Sequence, residues 1–426
     1  MKKVREGYKM TELGEIPGEW EIKPLNKIAY KIGDGLHGTP VYSEDGDYYF
    51  INGNNLNDGK ILITNETKKV NEIEYQKYKK ELNNNTLLIS LNGTIGNLAC
   101  YNSEKVVLGK SCGYITLKES VNKNYIFYAL NSNKIQLHFY KELTGTTIKN
   151  LSLDTLRKTN IPIPYIKEQQ KISSILSSVD EQIEITDNLI EKMKKLKKGL
   201  MQRLLTKGIG HSRFKDTEIG RIPEEWEVRK LGDISLLITK GTTPSTYGFD
   251  FVDEGVNFIK IENILDNGKI CSDNLLKISY ECNEKLSRSK IQENDILVSI
   301  AGSLGKSVLI SGNILPANTN QALAIVRLDK SNYSVEYINY IFSSRFFKNY
   351  IDKISTVGAQ PNLSLQQVND FKIPIPCYDE QQQIASILSS VDKQISQYES
   401  KKEKLQELKK GLMQKLLTGK IRVKVS

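Results

Sequence analysis

The stretch EQQKISSILSSVDEQI at 168–183 recurs at 380–395 as EQQQIASILSSVDKQI, and the match runs without a gap through LKKGLMQRLLT (196–206) and LKKGLMQKLLT (408–418). The shift, from 168 to 380, is constant at 212. A chain that repeats so long a unit in a single register is constrained to fold into two equivalent halves. The same shift holds upstream for NLSL (150–153 and 362–365) and IPIP (161–164 and 373–376). Further upstream TELGEIPGEWEIKPL (11–25) returns as TEIGRIPEEWEVRKL (217–231), shifted by 206. Between these ends the likeness falls away except at islands such as SLNGTIGN (90–97) against SIAGSLGK (299–306). Each half therefore keeps a common frame around a divergent middle. That pattern is expected when one fold presents different loops, because loops are where binding residues gather.

The 426 residues agree with two large units, since single cores stop growing near ~250 to 300 residues. Within the middles, TLLISL (86–91), DILVSI (295–300), GYITLK (113–118) and ALAIVRL (322–328) are rich in β-branched residues and read as strands. NEIEYQKYKKEL (71–82) and VEYINYIFSSRFFKNYI (335–351) read as helices between them. After each IPIP, whose prolines cannot continue a helix, Glu168–Leu176 reads as a short amphipathic helix. Ser178 with Glu181 then reads as a capping box that opens a second, longer one.

From there Val179, Ile183, Thr186, Ile190, Met193, Lys197, Leu200 and Leu204 step by four and three, the 3.5-residue spacing of a coiled-coil seam. The second copy continues it through Val391, Ile395, Tyr398, Lys402, Leu405, Lys409, Leu412 and Leu416, with lysines as polar intrusions. Such a seam wants a partner helix. Related halves joined in the order globule, helix, globule, helix can close on a pseudo-twofold axis with the helices antiparallel. At ~1.5 Å per residue the stretch from Ser178 to Thr206 makes a rod of roughly 43 Å, with the globules expected at its opposite ends. The fold class expected is α+β: two mixed globules, 1–165 and 211–377, separated by helical segments 166–210 and 378–426.

The net charge of +10 and pI of about 9.0 favour a polyanionic partner. Five cysteines with no close pair argue against a disulfide framework or a zinc site, which suggests a reducing cytoplasm. No apolar run approaches a membrane span, and no apolar segment follows the basic start as an export signal would need. Catalytic signatures are missing. The three histidines, His37, His138 and His211, lack metal spacing; AGSLGKS (301–307) lacks the first glycine of a phosphate loop, and its copy has Asn97 in place of the lysine. Both islands read as glycine turns between strands.

The frame resembles that of the specificity subunits of type I restriction-modification enzymes, over essentially the whole chain. The resemblance lies in TEIGRIPEEWEVRKLGDI, in DGLHGTP (34–40) and GTTPS (241–245), in IPIP followed by EQQ, and in SSVD through GLMQ, in that order and twice. It implies that each globule is a target recognition domain reading one half of a bipartite, asymmetric DNA sequence. The helices would be the conserved spacers, and they would dock two modification subunits. Those partners, not this chain, would bind S-adenosylmethionine and methylate an adenine in each half-site; restriction subunits would use ATP and Mg. The chain itself would bind no cofactor or metal and catalyse nothing. The alternative is a non-catalytic coiled-coil scaffold with tandem protein- or RNA-binding domains.

Residue types single out the DNA contacts. In the first half these are His37 and Thr39, then Asn52, Asn54 and Asn55 of INGNN, with Asn92 and Thr94 of the SLNGTIGN island. In the second they are Lys240, Thr242, Thr243 and Ser245 around GTTPS, and Lys260, Glu262 and Asn263 of IKIEN. Lysines and hydroxyls suit phosphates and base edges, asparagine can pair with adenine, and glutamate can accept from cytosine. Helix pairing and partner docking fall to Val179, Ile183, Ile190, Met193, Leu200 and Leu204 with Val391, Ile395, Tyr398, Leu405, Leu412 and Leu416.

Overall fold

The computed structural model describes residues 4–145, 149–265, 267–355 and 362–424. The chain forms two compact units, neither of them a single stretch of sequence: Met1–Asp187 with Ser400–Ser426, and Asn188–Glu399. Two long helices, Ile166–Lys207 and Tyr378–Leu416, each contribute one half to each unit.

Both units are built alike. The first has a four-stranded antiparallel sheet in the order Leu98–Cys100, Thr86–Ser90, Cys112–Leu117, Ala29–Asp34. Beside it Val106–Leu108 runs parallel to Tyr48–Ile51. The second repeats this with Ser307–Leu309, Ile296–Ser299, Leu323–Leu328 and Ser235–Lys240, and with Ala317–Thr319 parallel to Val256–Ile259. The strand runs read from sequence fall on these strands, whose side chains are almost all buried. The helical run at 335–351 is two helices, Val335–Phe342 and Arg345–Ser355, and the run at 71–82 is helical only over Glu72–Tyr78.

IPIP forms a strand in each unit, Asn160–Ile163 against Glu21–Pro24 and Lys372–Ile375 against Glu227–Lys230. Directly after it the duplicated Glu-Gln pair enters the core. Gln169 donates to Pro164 O and accepts from Asn122 N, while Gln381 does the same with Pro376 O and Ser334 N. Glu168 accepts from the indole of Trp20 at 3.1 Å, and Glu380 from that of Trp226 at 3.0 Å. Buried carboxylates need such partners. The frame is thus conserved between halves because it is a buried polar network, in which each member satisfies another.

The cation that completes this network differs. In the first unit Arg422 forks onto Glu168, with Nε–Oε1 at 2.8 Å and NH2–Oε2 at 3.1 Å. In the second, His211 Nε2 lies 3.0 Å from Glu380, its Nδ1 lies 3.0 Å from Glu225, and Ile209 N also donates to Glu380. Burial disfavours the imidazolium, but the bonds to Glu380 and Glu225 and their charges outweigh it, so the His211 pKa is raised. The charged form stabilises the fold fully below the unfolded value of about 6.5, and that contribution is lost as pH rises through the higher folded value. We expect the wild-type thermal midpoint to fall between about pH 6 and pH 9, and part of that fall to vanish in His211→Arg, which copies the Arg422 arrangement. Parallel pH profiles for the two proteins would exclude a role for His211.

The long helices correct one expectation from sequence. No break occurs at Ser178: its hydroxyl donates to Ser174 O inside one continuous helix, and Ser390 likewise donates to Ile387 O. A Ser-x-x-Glu pattern caps only where the preceding residues leave the helix, and here Ile172 and Leu176 are buried in the first core and keep it going.

The seam positions are buried or half-buried along both helices. In the first unit Asp180 pairs with Lys409 and Asp187 with Lys402, both at 2.6 Å; in the second Lys197 pairs with Asp392 at 2.6 Å and Lys194 with Glu399 at 3.4 Å. In each unit one partner's number falls as the other's rises, which is antiparallel packing. The lysine intrusions are therefore ion pairs, not flaws in the seam. They also select orientation: in a parallel, in-register pairing the repeats would set Asp180 beside Asp392 and Lys197 beside Lys409, which is repulsive. No helix is long and apolar enough to cross a membrane among the described residues.

Candidate nucleic-acid interface

Four loops converge at one edge of each sheet. In the first unit they are 34–40, leaving the edge strand, the turn 52–55, the glycine turn 91–97, and 109–111, which leads into the central strand. The strand pairing forces this meeting, and buried or half-buried bonds fix it. Leu36 N donates to Leu108 O, Ser111 Oγ to Asn52 Oδ1, Leu91 N to Ser111 O, and Thr94 Oγ1 to Gly53 O, all at 2.7 to 2.9 Å. The closeness explains Gly35, where a Cβ would lie 2.2 Å from Leu108 O.

The second unit brings together 240–245, 260–263, 300–306 and 320–322 in the same way. Gly241 N donates to Asn320 O at 3.1 Å, and a Cβ at Gly241 would lie 1.8 Å from Thr319 O. Ile300 N donates to Ala322 O, and Thr319 Oγ1 to Ile259 O. The islands SLNGTIGN and SIAGSLGK are tight turns, with Gly96 and Gly305 at φ of 83° and 87°; they are the glycine turns expected, and side chains with a Cβ rarely adopt that φ.

The sequence-predicted residues fall into these two clusters, but not all of them present their chemistry outward. Asn55 accepts from Asn52 N and donates to Leu62 O, and Asn263 accepts from Lys260 N at 2.8 Å. These amides shape their turns, and in Asn55 both the oxygen and the nitrogen are engaged in doing so. Asn52 and Thr94 are likewise bonded within the loop cluster, and Asn92 is half-buried beside Asn150.

Thr39, Asn54, Lys240 and Ser245 are exposed and make no side-chain hydrogen bond among the described residues. His37 is exposed and bonded to Asp34 at 2.6 Å. Lys260 lies 3.7 Å from Glu262 and over the ring of Phe251. Thr242 accepts from Arg288, and Thr243 donates to Gln321 Oε1 at 2.6 Å. Lys110, Arg288 and Gln321 stand beside these loops as well. No motif in the sequence marks them: strand register places Lys110 and Gln321, and Arg288 arrives from the turn Ser287–Ser289. Among the described residues no group of three His, Cys, Asp or Glu side chains is arranged to hold a metal ion.

A family model described as the type I restriction modification DNA specificity domain matches the chain twice, over residues 17–195 and 223–410. The protein described in Methanocaldococcus jannaschii as the MjaX type I restriction enzyme specificity subunit is 30% identical over 98% of this chain and 97% of its own length. The MjaVIII specificity subunit of the same organism is 29% identical over 98% and 97%. A crystal structure of a type I restriction-modification S subunit from M. genitalium shares the fold, with a TM-score of 0.57, 18% identity and 97% of both chains covered.

Proposed function

Since the chain belongs to the family of type I restriction-modification DNA specificity subunits, we propose that it is the sequence-reading chain of such a complex. Each unit reads one half of a bipartite, asymmetric double-stranded target through its four-loop edge. His37, Thr39 and Asn54 serve in one unit, with Lys240, Ser245, Lys260 and Glu262 in the other. The observation that carries this reading is one scaffold built twice, with the same sheet order and the same close glycine contact, but with different side chains on the loops. A structural role alone would not require equivalent turns such as DGLHGTP and KGTTPST, or INGNN and IKIEN, to carry such different side chains.

The chain is non-catalytic in this reading. Two modification subunits dock on the long helices, supply S-adenosylmethionine and methylate an adenine in each half-site, while restriction subunits use ATP and Mg. The test is exchange. Residues 30–140 are replaced by those of a related chain, the variant is expressed with its modification subunit, and methylated adenines are mapped across the host genome. One half-site should change and the other persist. A change in both half-sites would mean the units do not read independently.

A further inference from the structure

Lys110 and Gln321 occupy the same step of the two scaffolds. Ser90 pairs with Cys112 in the first sheet and Ser299 with Leu323 in the second, so each residue stands two positions before its central strand. Both side chains are exposed, yet the backbone beneath them is locked. Around Lys110, Gly109 N donates to Ile51 O at 2.8 Å, Cys112 N to Gly109 O at 2.9 Å, and Gly53 N to Ser111 Oγ at 2.9 Å. Before Gln321, buried Asn318 accepts from Ser289 Oγ at 2.7 Å and from Thr319 N at 2.8 Å, and donates to Asn283 Oδ1 at 2.9 Å. Asn320 Oδ1 then accepts from Ala322 N at 3.1 Å, directly after Gln321.

A long polar side chain carried on an immobilised backbone has only its own rotamers to order on making a directional contact, with no loop to order as well. Lys110 makes no side-chain hydrogen bond or ion pair among the described residues. Gln321 is aimed as well as carried. The hydroxyl of Thr243 donates to its Oε1 at 2.6 Å, using one lone pair and leaving the other with both Nε2 hydrogens.

We propose that Lys110 and Gln321 are base-reading residues at equivalent positions of the two half-sites, with Lys110 directed at guanine and Gln321 at adenine. The proposal rests on the chain being a DNA specificity subunit. An ammonium donates to O6 and N7 of guanine, whereas a glutamine accepts from N6 of adenine and donates to N7. After the bond from Thr243, Oε1 still has capacity to accept from the adenine amino group. Thr243 is then a positioning residue, holding the amide in the plane that the base edge requires.

The test expresses wild-type, Gln321→Ala, Gln321→Lys and Lys110→Gln chains with the modification subunit and maps methylated adenines across the host genome. Gln321→Ala should relax one adenine position in one half-site, its preference falling about ten- to hundred-fold, with the other half-site unchanged. Gln321→Lys should turn that position towards guanine, and Lys110→Gln should turn a guanine of the other half-site towards adenine. Uniformly weaker methylation of an unchanged motif would overturn the proposal, since phosphate contacts act that way. An unchanged motif methylated at the wild-type rate would also overturn it. A wild-type chain that yields no bipartite motif would instead overturn the underlying reading of function.

Discussion

Trp226→Ala is expected to cost about 3 to 5 kcal/mol, the range for truncating a large aromatic in a core. Trp226 is almost wholly buried in the second core, where Ile222, Leu231 and Phe371 are also buried. Its removal leaves a void and deprives the buried Glu380 of its indole donor. Two conservative variants separate the causes. Trp226→Phe keeps much of the volume and loses the N–H, and should cost about 1 to 3 kcal/mol. Trp20→Phe makes the same deletion in the first unit, where the fork of Arg422 holds both oxygens of Glu168 at any ordinary pH. The cost of Trp226→Phe should therefore grow as His211 loses its proton, while that of Trp20→Phe stays flat. Denaturant unfolding of the full chain at two pH values reads both, and equal pH dependence for the two variants would contradict the difference assigned to the two cations.

Lys409→Asp is expected to be the second large effect. In the first unit the hydroxyl of Tyr128 donates to Asp180 at 2.7 Å, and Lys409 pairs with the same carboxylate at 2.6 Å while lying 5.9 Å from the centre of the Tyr128 ring. Tyr340, Asp392 and Lys197 repeat the triad in the second unit, at 2.8 Å, 2.6 Å and 5.5 Å. Burial and then the bond to Asp180 push the Tyr128 phenol well above its ordinary pKa, so it remains a donor at any working pH. Reversing Lys409 sets a carboxylate against Asp180 in a half-buried place, which should cost about 2 kcal/mol, less than the 3 to 5 typical of fully buried pairs. The double variant Asp180→Lys with Lys409→Asp restores the opposite charges but not the tyrosine's acceptor. It should recover part of the loss, and a double variant no better than the sum of the singles would show that the charges are not coupled.

Much of this fold is legible in the sequence, for reasons that particular residues make plain. The seam from Val179 to Leu204 could be read because a stripe buried every 3.5 residues needs apolar side chains at that spacing. The partners of Lys197, Lys402 and Lys409 could not, because Asp392, Asp187 and Asp180 lie off the seam and only the antiparallel register brings them close. The false start at Ser178 has the same origin: local capping chemistry was visible, while the packing that overrides it was not. At the loop edge, INGNN and IKIEN stand out in the sequence for side chains suited to DNA, and the fold makes a turn of each. The internal bonds of Asn55 and Asn263 depend on backbone dihedrals that residue types do not report, and Lys110 and Gln321 stand out only once the strands are aligned.

The lysine that completes each triad comes from the opposite repeat, Lys409 in the first unit and Lys197 in the second. Ancestry acts on the molecule through that exchange. A substitution in either long helix is felt in the unit that the other copy founded, so the two helices cannot drift apart as duplicated segments ordinarily do. The loop edges carry no such mutual obligation. A recombination event whose ends fall in the shared helical sequence could bring in a whole foreign set of loops and still find its lysine waiting in the recipient. Novelty in what is read can then spread by inheritance of intact pieces, with the yoked helices acting as the fixed grammar of the lineage.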